Sequence, residues 1–147
     1  MLASRDYDTV REMPYHVFIS HGWHDRWIAR QFARAIREVA GAVPIVDIFD
    51  IKKGDRIDDR IREILPRCDE LVALLTPWSV TRNWVWNEIG AAWILDRRIV
   101  AVLYGVSLTE IDAEKGGRAC LTSRHVVLLD DFDDYIAELA DRVKGAS

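Results

Sequence analysis

The chain has 147 residues, 50% of them hydrophobic, which suits one compact domain with a sizeable core. Its net charge of −4, from 20 basic and 24 acidic residues, gives no general attraction to nucleic acid or to an anionic membrane. Two distant cysteines, Cys68 and Cys120, exclude a disulfide framework, and no run approaches the roughly 18–20 apolar residues of a membrane span.

Residues 1–14 are polar and charged and lack the apolar run of a signal peptide. They are expected to form an N-terminal extension to a single cytoplasmic domain over residues 15–147. Tyr15-His16-Val17-Phe18-Ile19-Ser20 reads as a buried strand. Ile28, Phe32, Ala35, Ile36 and Val39 then fall at helical spacing, predicting a helix over residues 25–40 that Gly41 ends. The run from Val43 to Ile48 is a second strand, with Pro44 near its start, where proline is tolerated. A polar loop, residues 49–56, leads to a short helix with Ile57, Ile61, Ile64 or Leu65, and Cys68 on one face.

Leu71-Val72-Ala73-Leu74-Leu75 is the third strand. A nearly apolar helix follows to about Asp96, containing Trp84, Trp86, Glu88 and Trp93. Ile99-Val100-Ala101-Val102-Leu103 is the fourth strand, and residues 104–124 form a longer connection, irregular in part. His125-Val126-Val127-Leu128-Leu129 is the fifth strand, and residues 132–143 the last helix. Its acidic start, Asp131, Asp133 and Asp134, and basic end, Arg142 and Lys144, match the helix dipole. Continuous Val/Ile/Leu strands separated by helices imply a parallel sheet covered on both faces. The fold class is α/β, with a flavodoxin-like five-stranded sheet in the order 2-1-3-4-5.

In such a sheet, ligands bind beyond the carboxyl ends of the strands, where the strand order reverses. That point lies between the loops after the first and third strands. The first loop holds Ser20, His21, Gly22 and Trp23; the third leads into Trp84 and Glu88. Residues four apart share a helix face, so Trp84, Glu88, Ala92 and Leu95 should project together. A carboxylate is costly to bury without partners, so Glu88 on this helix marks the candidate site. The alternative for Glu88 is a carboxylate held by its own helix's first amides and dipole. Trp86 and Trp93 read as packing residues.

Other chemistries lack their motifs. No G-x-G-x-x-G follows the first strand and no G-x-x-x-x-G-K-[ST] occurs. The third strand ends Leu74-Leu75-Thr76, without the aspartate of a phospho-receiver domain. His21 and His24 have no third ligand at metal spacing, so no metal is assigned. Arg26, Arg30, Arg34 and Arg37 form a basic stripe, read as a solvated helix face.

Three motifs in order resemble TIR (Toll/interleukin-1 receptor) domains. The first strand resembles the family's opening signature. The loop at residues 49–56, with Gly54, looks like its BB loop, and Trp84-Val85-Trp86-Asn87-Glu88 looks like the W-x-x-x-E of members that hydrolyse NAD. The resemblance runs from Tyr15 to Val143. It implies cleavage of the nicotinamide–ribose bond of NAD⁺, giving nicotinamide and ADP-ribose or a cyclic ADP-ribose isomer, in bacterial anti-phage defence. Glu88 would be catalytic. Ser20, His21, Gly22, Trp23, Asp50, Gly54, Arg56 and Trp84 would bind the substrate. NAD⁺ would be consumed rather than retained, so no cofactor is expected. The resemblance also implies self-association through the loop at residues 49–56 and neighbouring helices, and a sensor or effector protein as partner. The competing function is a non-enzymatic TIR–TIR adaptor, for which Glu88 has no use.

Overall fold

The computed structural model describes residues 14–46, 57–114, 121 and 125–146. Among them, β1 (His16–Ser20), β2 (Val43–Ile45), β3 (Glu70–Leu75), β4 (Arg98–Leu103) and β5 (Val126–Leu128) form one parallel sheet. Its order is β2-β1-β3-β4-β5, as the alternation of strand and helix predicts. Helices α1 (Arg26–Glu38), α2 (Ile57–Ile64), α3 (Asn83–Ile94) and α4 (Leu108–Glu114) lie between successive strands, and α5 (Phe132–Ala146) follows β5.

Successive strand residues point to opposite faces, and both faces are covered. Val17, Ile19, Val72 and Leu74 join Phe32 and Ile36 of α1 and Leu139 of α5 in one core layer. Phe18, Leu71, Ala73 and Leu75 join Val85, Ile89 and Ala92 of α3 in the other. A stacked pair, Phe32 and Phe132 with ring centroids 4.0 Å apart, fastens α1 to the start of α5.

Several boundaries differ from the sequence reading, each for a local reason. The described part of β2 is three residues long, and Pro44 sits in its middle rather than at its start. β2 is an edge strand, so the missing proline N–H withholds no ladder bond from a second neighbour. The connection after β4 contains α4. Its start is a capping box, with Glu110 N–H donating to Ser107 Oγ at 3.2 Å and Ser107 N–H to Glu110 Oε2 at 3.4 Å. α3 ends at Ile94, and Asp96 takes a left-handed φ of 55° just beyond it. Leu95 therefore lies past the helix and is 38% exposed, off the face that Glu88 and Ala92 share. Trp93, expected to pack, is 58% exposed because it stands at the flank of the buried arc formed by Val85, Ile89 and Ala92. Trp86 does pack, and its indole N–H donates to Val80 O at 2.9 Å.

A buried acid anchors the amino end of the sheet. Glu70 opens β3 with no exposed surface. Its carboxylate accepts from Tyr15 Oη at 2.7 Å, from Tyr135 Oη at 2.6 Å, and from Arg142 Nε and Nη2 at 3.1 and 3.2 Å. Four charge-assisted bonds thus tie the entry of β1 and two turns of α5 to the central strand. Burial first, and the Glu70 carboxylate next, push the Tyr15 phenol up to about 12. Burial raises the Tyr135 phenol as well.

Glu70→Ala should lower the unfolding free energy by about 3–5 kcal/mol, because Arg142 and two phenols lose their acceptor. Urea denaturation followed by circular dichroism measures it, and a loss below about 1 kcal/mol would contradict this role. The fold favours the protonated form of Tyr15, so its contribution is complete below pH 10 and is lost as pH rises through about 12. Melting temperature should fall over that interval, and less steeply in Tyr15→Phe.

Candidate functional site

The strand order reverses between β1 and β3, so the loops after these strands flank the ligand position of a doubly wound sheet. The structure holds the two loops against each other. Asp25, at the end of the turn Trp23–Asp25, is 3% exposed, and its Oδ2 accepts from Thr76 Oγ1 at 2.6 Å. Thr76 caps the end of β3, where Thr76 N–H donates to Ser79 Oγ at 2.8 Å and Ser79 N–H donates to Thr76 Oγ1 at 3.2 Å. Ser79 Oγ in turn donates to Leu74 O at 2.8 Å. Gly22 fits closely against this knot, since a Cβ there would stand 3.3 Å from Ser79 Cβ. The sequence places Thr76 and Ser79 in the third loop but gives no sign of their bonds to one another or to Asp25. Their signal, three short polar residues at strand ends, is common to most loops.

The predicted residues of the first loop are placed as follows. Ser20 is 1% exposed and, two residues after Phe18, shares its face, the side of the sheet that α3 covers. Among the described residues its Oγ has no hydrogen-bond partner. His21 is fully buried, with Nδ1 2.8 Å from Gly22 O. Burial pushes its pKa below the ordinary value, against the opposing pull of that carbonyl and of Asp25. The ring is therefore neutral near pH 7, and Nδ1 carries the proton it donates. Trp23 is 54% exposed, with the Arg26 guanidinium 4.2 Å from its ring centroid.

α3 supplies the other wall. Trp84 is half-buried, and its indole N–H donates to His21 O at 3.3 Å. It acts as a strut between the start of α3 and the β1 loop. Arg82 lies 5.6 Å from the Trp84 ring centroid. Glu88 is 3% exposed and shares the buried arc of α3 with Val85, Ile89 and Ala92. It stands beyond the first turn of the helix, where the dipole's influence has already fallen off. Ser20, His21 and Gly22 stand at the end of β1, where the strand order reverses, and Trp84 is bonded to that loop, with Glu88 one turn further along α3; Asp50, Gly54 and Arg56 lie outside the described residues, as do residues 1–13.

Two further features are distinct from this group. A cavity of about 220 Å³ beside it is lined by Pro77, Val80, Trp86, Val106 and Ile111. Its walls are apolar and its one carboxylate, Glu110, is the cap of α4, so it offers no acid–base chemistry. Among the described residues no group of three His, Cys, Asp or Glu is arranged to hold a metal ion, and no helix is long and apolar enough to cross a membrane.

A sequence model described as the TIR domain matches residues 17–141. Among solved structures, the chain is similar to the TIR domains of the activated Roq1 resistosome, which directly recognises the pathogen effector XopQ. The likeness has a TM-score of 0.55 at 18% identity and covers 90% of this chain and 82% of that one. Among curated proteins no match was found.

Thr76→Val removes the donor to a buried carboxylate and should lower stability by about 2 kcal/mol, measured by urea titration. An unchanged midpoint would show that the two loops are held by other means. The fold prefers neutral His21, so that preference stabilises the protein above a pH of about 6.5 and is lost as pH falls through the lower folded value. Calorimetry between pH 7.5 and 5 should show the wild type losing more melting temperature than His21→Gln.

Proposed function

The chain belongs to the TIR domain family, and from that premise we propose that it is an NAD⁺ nucleosidase with Glu88 as its catalytic residue. The observation that carries the proposal is the position of Glu88. It is a carboxylate with 3% exposure, on the α3 face toward the sheet and one turn after the strut Trp84.

The bond to be broken joins nicotinamide N1 to ribose C1′. The bonding pair leaves with the nicotinamide nitrogen, which already carries positive charge, so the leaving group departs neutral. No general acid is required. The transition state resembles a ribosyl oxocarbenium ion, as in other glycosidic cleavages. A carboxylate fixed in a largely dry site stabilises that charge without reorganising, and it can also hold the ribose hydroxyls. Water attacking C1′ and losing a proton to solvent gives ADP-ribose. Attack by an adenine nitrogen of the same molecule gives a cyclic isomer.

Around Glu88, Ser20 Oγ offers a hydroxyl on the same side of the sheet, and Trp84 forms one wall. His21, Gly22 and Trp23 frame the first loop, and Asp50, Gly54 and Arg56 are the further residues the family resemblance assigns to the substrate. Substrate enters as free NAD⁺ and no cofactor is retained. Copies of the chain associate through residues 49–56 and neighbouring helices, which complete the site, and a sensor or effector protein supplies the trigger. Bacterial anti-phage defence is the setting in which consuming NAD⁺ or releasing a nucleotide signal would serve a cell.

Incubation with NAD⁺ followed by mass spectrometry tests the proposal and identifies the product. Glu88→Gln should reduce NAD⁺ consumption by at least about 100-fold while leaving circular dichroism and melting temperature close to wild type. Full activity in that variant would refute the assignment, and a wild-type chain inert at every concentration would favour the adaptor reading. Specific activity should also rise with protein concentration. Turnover strictly proportional to protein, from dilute monomer to assembled material, would rule out site completion by a neighbour.

A further inference from the structure

The two loops clasped by Asp25 and Thr76 carry a second junction at their tips. His24 of the β1 loop and Trp78 of the β3 loop lie with ring centroids 5.5 Å apart and planes inclined by 31°. Both are exposed, Trp78 to 50%. A half-exposed indole held by a second ring is a costly surface to leave wet, and its outer face has no ring partner among the described residues. The pair is also well supported. Trp78 O accepts from Thr81 Oγ1 at 2.8 Å, and the residues flanking His24 and Trp78 are fixed by the buried bonds of Asp25 and Ser79. Such a platform is built before any ligand arrives.

Two arginines flank the same loops, each with its guanidinium over a neighbouring indole. Arg26 follows directly in α1 and Arg82 precedes α3. Arg26 donates one bond, from Nη1 to Trp23 O at 3.0 Å, which leaves guanidinium donors over. Flat aromatic faces beside arginines on loops at a strand-order reversal suit a nucleotide, with its base stacked and its phosphates near the guanidinium groups.

We infer that His24 and Trp78 form a stacking platform for the purine ring of a nucleotide, whose phosphates face Arg26 and Arg82. The inference deepens the NAD⁺ reading, on which it rests only for what lies at the nucleotide's other end. It makes the purine half of the substrate the responsibility of the loop tips, and the reacting ribose that of Glu88. Trp78 then determines specificity without touching the bond that breaks.

Titration with AMP, which has a purine and no scissile bond, tests this by calorimetry on the wild-type protein. Trp78→Ala should weaken AMP binding about tenfold, and Trp78→Phe should retain most of it, since a smaller ring still stacks. Nicotinamide mononucleotide, which lacks a purine, should bind both variants as it binds wild type. The inference is overturned if wild-type protein does not bind AMP at millimolar concentration. Equal affinity of wild type and Trp78→Ala for AMP overturns it too, as does a parallel loss of nicotinamide mononucleotide binding. Failure here is separable from failure of the activity. AMP binding lost in Trp78→Ala in a protein inert toward NAD⁺ upholds the platform and refutes the hydrolase. NAD⁺ turnover with a KM unchanged in Trp78→Ala does the reverse.

Discussion

One buried hydrogen bond, from Thr76 to Asp25, joins the two halves of the region where a ligand would sit. A doubly wound sheet sends the chain outward in opposite directions from its reversal point, so the loops on either side naturally part. Here the 2.6 Å bond closes them, and Ser79 fastens the β3 loop to its own strand. Gly22 then has room for no side chain without displacing Ser79. The placement of His21, and through it of Trp84 and the start of α3, follows from that closure.

Among the described residues two glutamates are buried, in contrasting surroundings. Glu70 lies at the amino end of β3, surrounded by two phenols and a guanidinium, and its role is to hold β1, β3 and α5 together. Glu88 lies on α3, in a buried arc made otherwise of the apolar side chains Val85, Ile89 and Ala92. Glu70 is held by charge-assisted bonds that join three elements, whereas Glu88 is enclosed by the packing of α3 against the sheet.

The strand order is legible in the sequence because it rests on strong, repeated signals. Continuous apolar strands dictate a sheet covered on both faces, and that topology fixes where its loops converge. Single polar residues were less legible. Glu70 reads in sequence as a charged residue before a strand, and Arg142 as a helix-end charge, because Tyr135 and Arg142 stand 65 and 72 positions away from Glu70. Asp25 and Thr76, 51 apart, are hidden in the same way. Trp93 misled for the opposite reason. Apolar character predicts burial only when a residue lies over a strand, and this one lies at the flank of its helix.

The strand order has a further consequence for the making of the protein. β1 is synthesised first but lies inside the sheet, between β2 and β3. Until β3 emerges, one edge of β1 stays open and Asp25 has no Thr76 to meet. The strut Trp84 and the acid Glu88 follow within the next turns of chain. The clasp between the two loops, and the strut that leans on it, can therefore form only after the central strand has joined its neighbour.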